Sequence, residues 1–247
     1  MPTIYLSPST QEYNPYVNGG NEEYYMNLIA DAMEPYLTAS GISFVRNSPS
    51  MNAAASIEES NRGNYDFHLA LHSNAAGAAS EGSVRGSEVY YYPGSPRGIR
   101  AAEVFAQNLK NIYPLPGLVR TVPTFSLGEV VRTKAPAILI EFAYHDNPED
   151  AAWIVNNINL IAENTVLSLC EYFGIPFETP VPGQTGYVKT NGRDLLIRAE
   201  PSFEGDIIGR IPNGSRVYIL DNYGDWYFAD YNGTEGYVFK NYIVLNG

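Results

Sequence analysis

Through residue 175, short apolar runs alternate with longer stretches whose apolar positions recur every three to four residues. That is the pattern of a sheet covered by crossover helices. Residues 4–6 read as a first strand, and Ser7-Pro-Ser-Thr, Asn14-Pro-Tyr and Asn18-Gly-Gly after them are loop chemistry. Met26, Ile29, Ala30, Met33 and Leu37 then share one helical face, with Glu22 and Glu23 at its start, where the helix dipole favours acids, and Gly41 beyond its end. Residues 42–46 predict a strand, 52–62 a weaker helix, and 66–72 an apolar strand in which positions 68, 70 and 72 share a face. Further strands are expected at 87–92 and 137–141, a helix at 99–109 closed by Pro114 and Pro116, and an interrupted helical stretch from Asn147 to Phe173. The expectation is an α/β fold, a mixed sheet flanked by helices.

The pattern changes at Gly174-Ile-Pro-Phe-Glu-Thr-Pro-Val-Pro-Gly, where three prolines between two glycines predict a semi-extended linker. We therefore expect one domain over 1–175, a linker over 176–184 and a second domain over 185–247. In the last segment strand-sized apolar clusters return every eight to twelve residues between Pro, Gly and Asn-Gly turns, as in a small all-β barrel.

Charge narrows the partners. The net charge is −12, and the acids lie mainly in the first domain: 9 basic against 19 acidic residues through Glu178, then 6 against 8. No basic run suggests nucleic acid or an anionic membrane as a partner, and no apolar run is long enough to span a bilayer. The single cysteine, Cys170, falls at helical spacing with Val166, Leu169 and Phe173, so it reads as a core residue and leaves no disulfide framework. Any metal site must draw on His68, His72 or His145, on carboxylates or on amides.

Three residues stand at the ends of separate elements. His72 closes Leu69-Ala-Leu-His-Ser-Asn-Ala, on the rim where open α/β sheets bind ligands. Glu141 closes Pro136-Ala-Ile-Leu-Ile-Glu, where an ionised carboxylate after four buried residues is costly unless it is compensated. Glu23 opens the first long helix. A catalytic zinc takes about three N or O donors, an open position and a separate carboxylate, which such a set could supply. His68 shares the face of His72 but lies about 13 Å along an extended strand from it, too far to share one ion. His145 and Asn74 sit where they could approach the site.

These pieces occur in a telling order: Asn21-Glu-Glu-Tyr-Tyr-Met-Asn-Leu, Leu71-His-Ser-Asn-Ala, Arg85-Gly-Ser-Glu-Val-Tyr-Tyr-Tyr, then Pro136-Ala-Ile-Leu-Ile-Glu-Phe-Ala-Tyr-His-Asp-Asn-Pro-Glu-Asp. Over residues 3–173 the chain resembles the zinc-dependent N-acetylmuramoyl-L-alanine amidases of the third amidase family. The resemblance implies a peptidoglycan hydrolase that cuts the amide between N-acetylmuramic acid and the first L-alanine of the stem peptide. Carried over by motif, Glu23 and His72 are zinc ligands and Glu141 acts on the water. Glu23 is chosen over Glu22 because four residues separate it from Asn27-Leu28. The family's first ligand, a histidine in an Asp-Pro-Gly-His-Gly loop, is missing from Ser7-Pro-Ser-Thr-Gln-Glu-Tyr-Asn. Gln11 takes its place in the best gapped match, with Glu12 and Thr10 as alternatives, and an amide donor implies low zinc affinity.

Residues 185–247 resemble the bacterial SH3-like domains of cell-wall enzymes, through Leu195-Leu-Ile-Arg-Ala-Glu-Pro-Ser, Ile207-Ile-Gly-Arg-Ile-Pro-Asn-Gly-Ser-Arg-Val, Gly224-Asp-Trp-Tyr-Phe and Gly236-Tyr-Val-Phe-Lys-Asn-Tyr-Ile. This implies wall affinity, with Trp226, Tyr227, Tyr237 and Tyr242 as candidate contacts. Tyr13, Tyr16, Tyr24 and Tyr25 could stack on sugars beside the cleft. Two function classes follow: a zinc amidase acting on the cell wall, or a wall-binding protein that has lost its metal. The substrate implies action outside the bacterial membrane, in the wall, although the first residues lack the basic and apolar regions of an export signal.

Overall fold

A computed structural model describes residues 1–179 and 184–245. The chain divides into two units, Met1–Thr179 and Pro180–Gly247. Part of the expected linker, 180–183, and the last two residues of the second domain lie outside the described residues.

The first unit is built on β1 (Thr3–Pro8), α1 (Glu22–Ala39), β2 (Ser43–Arg46), α2 (Ala53–Arg62), β3 (Phe67–Asn74), β4 (Ser87–Tyr91), α3 (Pro96–Leu109), β5 (Val119–Pro123), α4 (Gly128–Val131), β6 (Ala137–Tyr144), α5 (Pro148–Asn156) and α6 (Ile158–Phe173). Its six strands run in the order β2-β1-β3-β6-β4-β5. All neighbours are parallel except β6 and β4, which makes the sheet mixed. Strand β5 and the four-residue helix α4 are additions to the expected elements. Neither has a periodic run long enough to announce itself.

Strand alternation sorts the side chains. Ile4, Leu6, Phe67, Leu69, Leu71, Val89, Ile138, Ile140 and Phe142 join α1, α3 and α6 in the main core. Their neighbours in sequence point to the opposite face, where Ala70 and Leu139 pack against Val130 of α4. His68, His72, Glu88 and Glu141 have the same parity as these and sit on that second face. Cys170 is buried in α6, as expected of a core residue.

The second unit is an antiparallel sheet of β7 (Gln184–Val188), β8 (Leu195–Arg198), β9 (Ile207–Ile211), β10 (Arg216–Tyr223), β11 (Trp226–Tyr231), β12 (Thr234–Phe239) and β13 (Ile243–Leu245), in the order β13-β7-β10-β11-β12-β8-β9. Val188, Leu195, Ile197, Ile211, Val217, Ile219, Ala229 and Val238 form its own small core. Among the described residues no helix is long and apolar enough to cross a membrane.

Candidate functional site

Toward the C-terminal ends of β3 and β6, where β4 and β5 begin, one chemical row crosses four strands. His72 on β3 is in register with Glu141 on β6, Glu141 with Glu88 on β4, and Glu88 with Arg120 on β5. The loop after β1 and the first turn of α1 close over the His72 end of this row.

The glutamate that meets His72 is Glu22, where Glu23 was expected. Asn21 caps α1 by accepting the Tyr24 amide at 2.8 Å, which makes Glu22 the first helical residue. Glu22 lies four positions before Met26, in phase with the buried face of Met26, Ile29, Met33 and Leu37, and is itself buried. Its Oε1 stands 2.8 Å from His72 Nδ1, while its Oε2 accepts from Asn14 Nδ2 at 2.7 Å. Glu23 falls one residue off this phase and is half-exposed; its backbone carbonyl accepts from the Asn27 side chain.

Gln11 completes the group. Its carboxamide nitrogen is 3.4 Å from both Glu22 Oε1 and His72 Nδ1. Its Oε1 accepts from Asn14 at 3.2 Å and from Tyr13 at 3.3 Å. Glu12 is exposed and Thr10 half-buried. Among the described residues no three His, Cys, Asp or Glu side chains form a group able to hold a metal ion, and the Gln11 amide is the further polar group beside Glu22 and His72. Donors bound to one tetrahedral ion at about 2.0–2.1 Å lie about 3.4 Å apart; the two edges to the Gln11 carboxamide match at 3.4 Å, while the Glu22–His72 edge, at 2.8 Å, is that of a direct hydrogen bond. A half-turn of the carboxamide presents its oxygen in place of its nitrogen. That turn sets the Gln11 nitrogen against the Asn14 side-chain nitrogen, two donors facing each other, and leaves Asn14 only its bond to Glu22.

On the far side of His72 lies a residue that sequence reasoning missed. Glu129, buried on α4, places Oε2 3.1 Å from His72 Nε2 and Oε1 3.4 Å from His68 Nε2, and accepts from the Ser7 hydroxyl. His68 Nδ1 in turn meets Ser60 Oγ at 2.9 Å. The two histidines, expected to be unable to share an ion, share a carboxylate. Burial alone would raise both Glu22 and Glu129, but hydrogen bonds and charge from the imidazoles outweigh it and hold both below the usual carboxylate range. Burial alone would lower His72, and its two carboxylate partners instead raise it well above its ordinary value.

Glu141 behaves in the opposite way. Its Oε2 is buried with no hydrogen-bond partner. Burial, joined by the charges of Glu22, Glu88 and Glu129 and opposed by His72, pushes its carboxyl up to about 8. Glu88, its other neighbour, is held by Arg120 (Nε at 2.9 Å), Tyr90 and Asn74 (3.3 Å). His145 braces the rim: its Nδ1 lies 2.8 Å from the Ser73 carbonyl and its ring stacks on Tyr16, with centroids 5.1 Å apart. Tyr16 is buried, Tyr25 packs on it, and Tyr13 and Tyr24 are exposed.

In the second unit, Trp226 and Tyr242 line a cleft of about 550 Å³ with Phe203, Phe239, Arg193 and Asp194. Trp226 packs against Phe203 and Phe239, with centroids 4.9 and 5.3 Å away. The other two expected contacts pack elsewhere: Tyr227 lies under Lys240, and Tyr237 lies against Tyr223 and Phe228.

Known proteins share both units. A family profile described as N-acetylmuramoyl-L-alanine amidase matches residues 9–171, and one described as bacterial SH3 domain matches residues 194–244. The protein YrvJ of Bacillus subtilis strain 168, which carries an N-acetylmuramoyl-L-alanine amidase name, is 24% identical over 99 residues, covering 40% of this chain and 19% of its own length. This chain thus spans about a fifth of that relative. AmiC2 of Nostoc punctiforme, titled an N-acetylmuramoyl-L-alanine amidase, superposes with a TM-score of 0.61 at 20% identity, covering 70% of this chain and 97% of that one. The catalytic domain of CwlV from Bacillus (Paenibacillus) polymyxa var. colistinus gives 0.61 at 16% identity, covering 71% and 100%. At these identities the superpositions speak for the fold, while the profile match spans well over half of the chain. The chain belongs to the N-acetylmuramoyl-L-alanine amidase family and carries a bacterial SH3 domain behind its amidase unit.

Proposed function

We propose that this protein hydrolyses the amide between N-acetylmuramic acid and L-alanine in peptidoglycan, with Glu141 as the general base and Gln11, Glu22 and His72 holding a zinc ion. The observation that carries this reading is the Glu141 carboxyl: a buried, unpartnered oxygen in register with His72, one strand away from the donor triangle. A structural carboxylate so placed would have acquired a donor. A proton acceptor needs that oxygen free.

Zinc, when bound, supplies Lewis acidity toward a carbonyl and toward water. The protein's own groups do the rest. Glu141 takes the proton of the attacking water and returns it to the leaving nitrogen. Its carboxyl lies high without a cation, and a cation held by Glu22 and His72 would favour the ionised form that a base requires. Glu88, ion-paired with Arg120, flanks the base. The exposed rings of Tyr13 and Tyr24 offer faces to glycan at the rim, and the aromatic cleft of the SH3 domain offers a second contact with the wall. Together these support action at the cell wall.

Release of soluble peptide from purified peptidoglycan tests the assignment. The wild type is expected to release it, and Glu141→Gln to bind the polymer while cutting at least about 100-fold more slowly. Near-normal cleavage by Glu141→Gln overturns the role of Glu141. One observation favours the second reading, a wall-binding protein without metal: Gln11 as placed turns its amide nitrogen toward Glu22 and His72, which completes a hydrogen-bonded network with no ion. Zinc content of protein purified without chelator separates the two.

A further inference from the structure

Strand β3 presents His68 and His72 on one face, and α4 inserts a single buried carboxylate between them. We infer that Glu129 is the positioning residue of the metal centre: it fixes the His72 proton on Nε2, so that Nδ1 faces Glu22 and Gln11. This rests on the zinc reading of the site.

The geometry leaves His72 one way to work. An imidazole binds a metal through a nitrogen free of its proton, and the partner of the other nitrogen decides which one that is. His72 Nε2 has Glu129 Oε2 at 3.1 Å, while Nδ1 lies in the triangle with Glu22 at 2.8 Å and Gln11 at 3.4 Å. Glu129 is itself held in place: Ser7 donates to its Oε1, His68 stands against the same oxygen, and His68 is anchored by Ser60 and stacked on Tyr5 with centroids 5.3 Å apart. Two strands, β1 and β3, thus meet on one carboxylate, and α2 supports it through His68.

The arrangement also answers the weakness of the donor set. A neutral amide stands among the donors, and a carboxylate behind the imidazole makes the ring a more electron-rich ligand. Glu129 offsets part of what an amide donor loses.

Calorimetric titration of the full-length protein with zinc alone tests this, alongside His72→Ala, Glu129→Gln and Glu129→Leu. The wild type is expected to bind one ion and His72→Ala to lose it. Glu129→Gln, which keeps an acceptor but no charge, should bind about 10-fold more weakly, and Glu129→Leu up to about 100-fold. Nitrogen-15 spectra of the zinc-loaded wild type should show His72 protonated at Nε2, a signature that needs no variant to fold. Equal zinc affinity in wild type and both Glu129 variants, or a zinc-loaded His72 protonated at Nδ1, overturns the inference while leaving the metal site intact. A wild type that binds no zinc, or keeps it after His72→Ala, overturns the metal site itself and the inference with it.

Discussion

Glu141 links the chemistry of the site to the stability of the protein. Without a cation its carboxyl titrates near 8 against an ordinary 4.5, because burial and neighbouring acids disfavour its charge. Between those values the native state keeps a proton that the unfolded chain has released, so stability falls as pH rises. His72, raised by its carboxylates, contributes stability that is complete below about 6.5 and lost as pH climbs through its higher folded value. Glu22 and Glu129 act the other way: held low, they add stability above about 4.5 that is lost on acidification. Thermal melts of chelator-treated protein should therefore decline from pH 5 to pH 8, and Glu141→Gln should flatten the slope. Identical slopes in the two proteins would contradict the raised carboxyl. Of these residues, His72 and Glu141 were legible as chemistry at the ends of apolar strands. Glu22 was legible in principle, since it continues the stripe of Met26 and Ile29 by one turn; matching to a remote motif hid that phase. Glu129 was not legible, because only tertiary packing tells a glutamate between Gly128 and Val130 which way to face.

The loop between β1 and α1 carries Gln11 and Asn14 to the site and is shaped by its turn. Tyr16 donates its amide to Gly20, and Tyr25 donates its hydroxyl to Gly19. Gly19 and Gly20 have φ of +93° and +80°, which an L side chain adopts only under strain, and a Cβ on Gly20 would stand 2.6 Å from the Tyr25 ring. Gly19 has open space around it. Gly19→Ala should thus cost only the backbone strain, about 1–2 kcal/mol. Gly20→Ala should cost more, about 2–3 kcal/mol, because it also displaces Tyr25 from Tyr16. Denaturant unfolding of the two variants checks the ordering, and equal losses would remove the steric argument. At this scale the long helices and the apolar strands were readable from periodicity. Strand β5 and helix α4 were not: each is too short to show a period, and α4 has no side-chain cap to mark its start.

Across the whole molecule, two folded units share one chain. The composition shift at Gly174 announced the change from α/β to all-β, because a proline-rich stretch cannot continue helix α6. The aromatic cleft of the SH3 domain leads to a separable expectation. Phe203 and Tyr242 are 63% and 44% exposed at its edge, so replacing them spares the core. Phe203→Ala with Tyr242→Ala should reduce co-sedimentation with insoluble peptidoglycan several-fold while leaving hydrolysis of small soluble muropeptides unchanged. Unaltered sedimentation would move the wall contact elsewhere. The strand order of the amidase unit has its own consequence. Strand β6, last of the six to be synthesised, lies between β3 and β4 near the middle of the sheet. A nascent chain that has emerged only through residue 136 holds two disconnected sheet fragments, so the sheet of the amidase unit closes only after most of that unit has been synthesised.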